Sequence, residues 1–437
     1  MESKIFTNSK NTLIRQIISI LIQFMSIVLI ARQLGVEGNG IYSLAILLPA
    51  FMSIILALGL NSSNIFFIGK KEYKINVIYT TAIVMSIAII VVGIIIGLSF
   101  ILLFSNDVFP RVSIHILIIS LFRFPFLYIT TLNLSFLKAI ENFDDFNIVS
   151  LFSPIAFLTF ILLSLIYENF CLQNLIIISL LNPILSMMIS SIYTYKNKYR
   201  FSFRYFSKSY MLTSLSYGLR SHASNLIAFV NYRADLLILN LLSNTFAVGI
   251  YSLAVQIAER LWIVSGSMST VLLPRFVALN SYNEKRVPLI LKSYRIVTLL
   301  TIILSFILVI TSSFLIELLF GNDYNDVVKV LPYLMPGIVL GAGSQILANA
   351  IAALGKPELN LYTSIIAMIT NIILNIVLIP NYGFMGAAIA TSLSYSINSL
   401  LKVILFMNIE REVSIQEFIF KVSDLKYLYS KLFTTHK

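Results

Sequence analysis

Cysteine is almost missing: Cys171 stands alone in 437 residues, so no disulfide can form within the chain. Histidine is nearly as scarce. His115, His222 and His436 lie far apart and suggest no metal cluster. Charged residues make up only 11% of the sequence, against about 25% in an average soluble domain. No glycine loop followed by Lys and Ser or Thr cradles a phosphate, and no nucleophile elbow is present. The sequence therefore reads as a non-enzyme without a cofactor.

What fills the chain is apolar surface. Hydrophobic residues reach 58% and the mean hydropathy is +0.91, which predicts an all-α integral membrane protein. A membrane helix needs about 20 mostly apolar residues. Twelve stretches qualify, near 12–34, 40–60, 76–104, 112–137, 148–167, 172–195, 214–242, 247–273, 294–320, 327–353, 361–379 and 383–407. The basic amino end precedes the first of them without a small-residue cleavage site, and reads as a retained span rather than a signal peptide.

Lys and Arg set the orientation. With the amino end cytoplasmic, 24 of the 31 basic residues fall on the cytoplasmic side, and only Arg32, Arg111 and Lys329 on the outer side. Both termini are then cytoplasmic. The same bias explains the net charge of +12 as a topology signal, which sets nucleic acid aside as a partner.

Six residues, GIYSLA, occur at 40–45 and again at 249–254. Each copy follows a short polar break and opens a long apolar stretch. The spacing of about half the chain predicts a duplicated unit. Moving forward six spans preserves orientation, so the two six-helix bundles form a parallel repeat. The expected organisation is an N-terminal bundle at 1–195, a cytoplasmic linker at 196–211, a C-terminal bundle at 212–407 and a cytoplasmic tail at 408–437. The linker's basic residues set topology or attract an anionic headgroup. In the tail, Ser414 and Glu417 have capping-box spacing, and apolar residues then recur at helical intervals. That pattern predicts an amphipathic helix on the inner membrane face, or else a solubilising tail.

Four arginines fall inside predicted spans: Arg123, Arg220, Arg233 and Arg260. Each would cost about 3 kcal/mol at the bilayer centre on insertion scales. They must face a partner or water. Two acids lie at similar depth, Asp235 and Glu259, as charge partners or coupling groups. Pairing can therefore neutralise at most half of the arginines. The surplus predicts a hydrated cationic lumen suited to an anionic cargo, above all a phosphate. Arg220, about two turns from the cytoplasmic end, could instead snorkel to the interface. His115 and His222 either pack as neutral rings or relay protons. Asn371 and Asn375 share a helix face, as do Gln345 and Asn349, which suits hydrogen bonds between helices. Pro332, Pro336 and Gly337 predict a bent or interrupted tenth span, a hinge candidate.

Three segments carry a family resemblance. ARQLGVEGNGIYSLA (31–45) resembles a signature of bacterial polysaccharide exporters. NYRADLLILNLLSNTFAVGIYSLAVQIAERLW (231–262), with Pro274 downstream, resembles its second-half counterpart. ALGKPELN (353–360) and LNIVLIPNYGFMGAAIATSLSYSI (374–397) resemble the carboxyl half. The chain is thus similar to the O-antigen and capsule repeat-unit flippases (Wzx type). These form the polysaccharide branch of the multidrug, oligosaccharidyl-lipid and polysaccharide exporter superfamily.

The resemblance implies a V of two bundles around a central cavity, alternating between inward-open and outward-open forms. It implies movement of undecaprenyl-diphosphate-linked oligosaccharide from the inner to the outer leaflet of the bacterial plasma membrane, the inner membrane of a lipopolysaccharide-bearing cell. Coupling to protons or sodium, and a polysaccharide polymerase and chain-length regulator as partners, come with the same resemblance. The rival reading is a multidrug or organic-cation antiporter, which should line its lumen with acids instead of surplus arginines. A membrane-embedded glycosyltransferase or polymerase should carry a large outer loop, and every predicted outer loop is short.

Overall fold

In the computed structural model the described residues are 2–278, 283–421 and 424. Among them, side chains are described except at 2–14, 16, 220, 221, 224, 225, 270, 271, 273–275, 277, 278, 283 and 284. Every regular element among these residues is helical. The α-helices are α1 Glu2–Ile55, α2 Leu60–Lys70, α3 Ile75–Val108, α4 Ile114–Leu121, α5 Arg123–Ala139, α6 Phe143–Ile166, α7 Leu172–Lys196, α8 Lys208–Leu242, α9 Thr245–Glu259, α10 Ile263–Ala278, α11 Asn283–Phe320, α12 Asn325–Ala353 and α13 Pro357–Ile409.

Among the described residues, nine helical segments are long and apolar enough to cross a membrane. The two longest helices exceed any single crossing, and each is broken by a glycine in the left-handed region. Gly35 (φ 66°) interrupts α1 and Gly383 (φ 52°) interrupts α13. Both breaks fall at short joints expected between spans. The 35-residue α8 is not one of the nine; four of its side chains, at 220, 221, 224 and 225, lie outside the described residues.

The helices are built outside-in. α3 buries Thr80, Thr81, Ser86, Gly93, Gly97 and Ser105 and exposes Ile87, Val91, Val92, Ile95, Leu102 and Leu103. Small residues let helices approach closely in lipid, while large aliphatics meet hydrocarbon at no cost. In water the same arrangement would leave a broad apolar face unprotected.

The chain packs as two compact units. The first holds Met1–Phe229 with Asn244–Gly249, the second Val230–Ser243 with Ile250–Lys437. The units part inside α8 rather than in the expected 196–211 linker, because the stretch between α7 and α8 is bound to the first unit. Tyr199 is buried there and donates to the Phe136 carbonyl (3.0 Å). The Arg200, Ser202 and Ser207 amides donate to Asn76, Thr80 and Thr81 at the start of α3. Tyr210 donates to Asn64 (2.9 Å).

In the first unit the leading glycines of the two hexapeptide copies, Gly40 and Gly249, come together. A Cβ on Gly40 would strike the Thr245 carbonyl and the Gly249 amide, and one on Gly249 would strike the Val36 carbonyl. The contact is reciprocal. Val36 and Thr245 occupy equivalent places before the two copies, each held against the glycine of the other. No side chain fits between the two backbones.

In the second unit the described part of the tail packs back on the helices. The expected amphipathic helix is absent among the described residues of this segment. A short 3-10 turn, Ile415–Phe418, follows extended backbone, and Ser414 makes no side-chain cap. Tertiary bonds have replaced the helical ones. Val413 and Phe418 pack on the core of Phe276, Tyr294, Leu347 and Phe406. Arg286 pairs with Glu410. Arg295 binds Asp424 (2.7 Å) and the Glu417 carbonyl (2.7 Å). The remainder of the predicted helix, at 422, 423 and 425–437, lies outside the described residues.

Two further expectations change. α12 runs as one helix through Pro332 and Pro336, so of the bent or interrupted span only the bent form remains. Gly337 serves packing instead: its amide donates to Ser392 Oγ (2.9 Å), and a Cβ there would lie 2.6 Å from the Ser392 backbone. Lys402, counted by sequence with the cytoplasmic tail, is buried in α13 with Nζ on Ser344 Oγ (3.2 Å).

Candidate functional site

Each unit buries charged side chains of its own spans, and these are the candidate residues. In the first unit, Arg123 opens α5 directly after α4 ends at Leu121. Its Nε and Nη1 are buried and find no hydrogen-bond acceptor among the described residues. Tyr42, the tyrosine of the first hexapeptide copy, is its electrostatic neighbour. A buried N–H without an acceptor costs about 1–3 kcal/mol, so this guanidinium is poised for something the described residues do not supply. Arg220 lies on α8, and its side chain falls outside the described residues.

In the second unit, Arg233 and Glu259 pair across α8 and α9. Nη2 meets Oε2 at 3.1 Å and Nη1 meets Oε1 at 3.4 Å. Nη1 also donates to the Tyr232 carbonyl (2.9 Å). Arg260 begins a 3-10 turn, Arg260–Trp262, between α9 and α10. Its side chain makes no ion pair or hydrogen bond among the described residues, while Glu259 attracts it and Arg233 repels it. Of the three arginines with described side chains, one is paired with an acid.

Asp235 takes no arginine. Its carboxylate accepts from the Tyr251 hydroxyl, from Thr391 Oγ1 (3.2 Å) and from the Leu236 amide (2.8 Å). Tyr251 and Thr391 are themselves 2.8 Å apart. Asn371 reaches Thr391 (3.4 Å) and receives Asn375 (3.0 Å). All five side chains are buried. A carboxylate held this way takes its hydrogen bonds from neutral dipoles, while Arg233 acts on it only through space. Gln345 takes a bond from Ser265 (2.8 Å), so the expected polar faces of α12 and α13 do serve helix packing.

Sequence reasoning listed the charges and missed their neutral company. Tyr251 and Thr391 are not unusual in an apolar span. One signal was available for the first: Tyr251 is the tyrosine of the second hexapeptide copy, so both copies set a tyrosine beside a buried charge. The aromatic neighbours Tyr232, Trp262 and Tyr395 come from three distant segments and had no signal in the sequence.

Residues 6–280 match a family described as polysaccharide biosynthesis protein. A putative O-antigen transporter of Shigella flexneri is 24% identical over 410 residues, covering 91% of this chain and 96% of its own. A probable low-salt glycan biosynthesis flippase, Agl15, of Haloferax volcanii is 24% identical over 188 residues, 43% of this chain and 40% of its own. Among solved structures, the lipid II flippase MurJ in an inward closed conformation aligns with a TM-score of 0.79 at 18% identity, covering 98% of this chain and 93% of that one. At that identity the likeness concerns the fold alone.

Proposed function

The chain belongs to the polysaccharide biosynthesis protein family, and on that premise we propose that it is a flippase for lipid-linked polysaccharide precursors. The cargo in this reading is an undecaprenyl-diphosphate-linked oligosaccharide, moved from the inner to the outer leaflet of a bacterial plasma membrane. Counting the two glycine-broken helices as two crossings each, and α8 as one more, gives twelve spans with both termini cytoplasmic. A cationic chamber opens alternately to the two faces. Polysaccharide polymerase and chain-length regulator act downstream on the delivered unit.

The observation that carries this reading is the orphaned guanidinium of Arg123, with unpaired Arg260 as a second cationic contact. A sugar diphosphate cannot cross about 30 Å of hydrocarbon unaided. Phosphate oxygens are the acceptors that a buried guanidinium lacks, and the fork geometry suits them. An organic-cation antiporter would gain nothing from such a group. Asp235 is the candidate coupling group: a buried carboxylate ringed by hydroxyls and an amide can take up a proton or sodium ion.

The test is genetic and chemical. In cells depending on this chain, Arg123→Ala should leave the protein inserted and make lipid-linked repeat units accumulate on the inner leaflet. Normal surface polysaccharide with Arg123→Ala and with Arg260→Ala would remove both residues from the cargo path. Drug resistance conferred by the intact chain, without effect on polysaccharide, would favour the antiporter.

A further inference from the structure

The second unit sets an aromatic trio beside its charge cluster. Tyr232 of α8, Trp262 of the 3-10 turn and Tyr395 of α13 meet pairwise. Their ring centroids lie 5.7 Å (Tyr232–Trp262), 5.5 Å (Tyr232–Tyr395) and 5.3 Å (Trp262–Tyr395) apart. Trp262 is the only tryptophan of the chain. Its Nε1 donates to the Ile338 carbonyl at 2.9 Å. A Cβ on Gly341 would come within 2.9 Å of the ring, so α12 holds the indole from one side. Tyr232 and Trp262 remain only half-buried, and the trio is not sealed.

One atom here has no place in a simple aromatic core. Tyr395 is 4% exposed, and its hydroxyl has no hydrogen-bond partner among the described residues. Phenylalanine would fill the same space without stranding a polar group. Glu259 and Tyr232 are among its electrostatic neighbours. Around the rings stand planar, charged hydrogen-bonding groups. Arg233 holds the Tyr232 carbonyl and binds Glu259. Arg260 shares the turn with Trp262.

An aromatic surface ringed by a few convergent polar groups is how proteins orient small amphipathic ligands. A sugar ring is amphipathic in that sense, with apolar C–H faces and a rim of hydroxyls. The faces stack on aromatic rings. The hydroxyls both donate and accept, so one sugar can serve an arginine, a carboxylate and a stranded phenol together. An organic cation could also be drawn to aromatic faces, but Arg233 and Arg260 oppose it, and Glu259 is already paired.

We propose that Tyr232, Trp262 and Tyr395, with Arg260 and the Arg233–Glu259 pair, form a saccharide subsite that receives the sugar portion of the cargo. The proposal rests on the flippase reading and adds to it a place for the sugar, separate from the phosphate contact at Arg123.

Trp262 is the chain's sole source of tryptophan emission and reports on this subsite directly. Four probes are titrated into the full-length protein in lipid nanodiscs. They are the host's lipid-linked repeat unit, its oligosaccharide released by mild acid, undecaprenyl diphosphate without sugar, and tetraphenylphosphonium. Binding of the two lipids is followed in parallel by native mass spectrometry. The proposal expects a saturable emission change with both sugar-bearing probes and none with the other two. Tyr395→Phe, which keeps the ring, should weaken the oligosaccharide response about five- to tenfold, the loss of one hydrogen bond. Bound lipid-linked repeat unit with silent Trp262 emission overturns the subsite and leaves the flippase reading standing. An equal response to sugar-free undecaprenyl diphosphate, or a response to tetraphenylphosphonium alone, overturns it too. No binding of either lipid by either method overturns the flippase reading and the subsite with it.

Discussion

Replacing Arg123 by methionine should make this protein more stable and less active. Most core substitutions destabilise by about 1 kcal/mol, so the expected sign is unusual. Nε and Nη1 of Arg123 are buried without acceptors, and each such N–H costs about 1–3 kcal/mol. A basic side chain deep in a span adds an insertion penalty of about 2.5–3.5 kcal/mol, which overlaps with the first cost. Methionine is unbranched and adaptable, so it fills most of the vacated volume and leaves no polar group. A net gain of about 2–3 kcal/mol follows from these terms, enough to raise the midpoint of thermal unfolding by several degrees. The assay is far-ultraviolet circular dichroism of purified, cargo-free protein through a temperature ramp, beside a polysaccharide-export assay in cells. Added lipid-linked repeat unit should stabilise the native protein more than the variant, because only the native chain offers the guanidinium. A midpoint lowered by several degrees would mean that Arg123 has a partner within the chain. Unchanged export would mean that the cargo does not use it. Either result refutes the reasoning.

Three more expectations can be checked independently. Gly40→Ala and Gly249→Ala each force apart the same pair of backbones, at about 1–3 kcal/mol each by overpacking; a double-mutant cycle should show the pair costing clearly less than the sum, and strict additivity would deny the reciprocal contact. Asp235→Asn keeps the shape of the Tyr251–Thr391 cluster but removes its charge, so the dependence of export on proton or sodium gradients should vanish while the protein still inserts; an unaltered dependence would acquit Asp235. In the tail, burial raises the Asp424 carboxyl pKa, but hydrogen bonds from Arg295 and the Lys421 amide outweigh it and hold the group below its ordinary value. A depressed pKa gives stability that is present above the unfolded value near 4 and lost as pH falls below it. Amide-exchange protection of residues 410–421 should therefore persist from about pH 8 down to about pH 4; loss of protection between about pH 5 and pH 7 would contradict the assignment.

How much was legible in the sequence depended on the kind of physics involved. Helices were legible because lipid imposes them: a run of apolar residues in hydrocarbon must satisfy its backbone internally. The Gly35 and Gly383 breaks sat at joints that the span lengths demanded. The buried arginines were legible because their cost is large and local to one residue. Sequence could place Arg233 and Glu259 at similar depth, but only the packing of α8 on α9 could pair them. The described stretch 414–421 departs from a helical period that is real. Phe418 and Val413 spend their apolar surface on a core formed by α10, α11, α12 and α13, and Arg295 claims a backbone carbonyl that a helix would need. Tertiary contacts overrode a local preference there. In the proline-rich α12, packing adds a reason the sequence did not show for its glycines: Ser392 presses close at Gly337 and Trp262 at Gly341.

The repeated hexapeptide joins these observations. Its glycines meet each other, and its tyrosines have parted company chemically. Tyr42 neighbours a guanidinium that lacks acceptors, while Tyr251 donates to a carboxylate whose needs are met inside the unit. An unsatisfied cation and a satisfied anion cannot serve the same purpose. The first gains free energy only when an anion arrives, so it selects cargo. The second gains little from a large ligand, since its lone pairs are already occupied; it can change state only by accepting something as small as a proton or a bare ion. In the proposed reading the two copies offer related positions put to different ends, one holding phosphate and the other responding to a proton or sodium gradient. On this argument, cargo affinity should respond to Arg123 and gradient dependence to Asp235. A variant at either position that altered both properties equally would break the division.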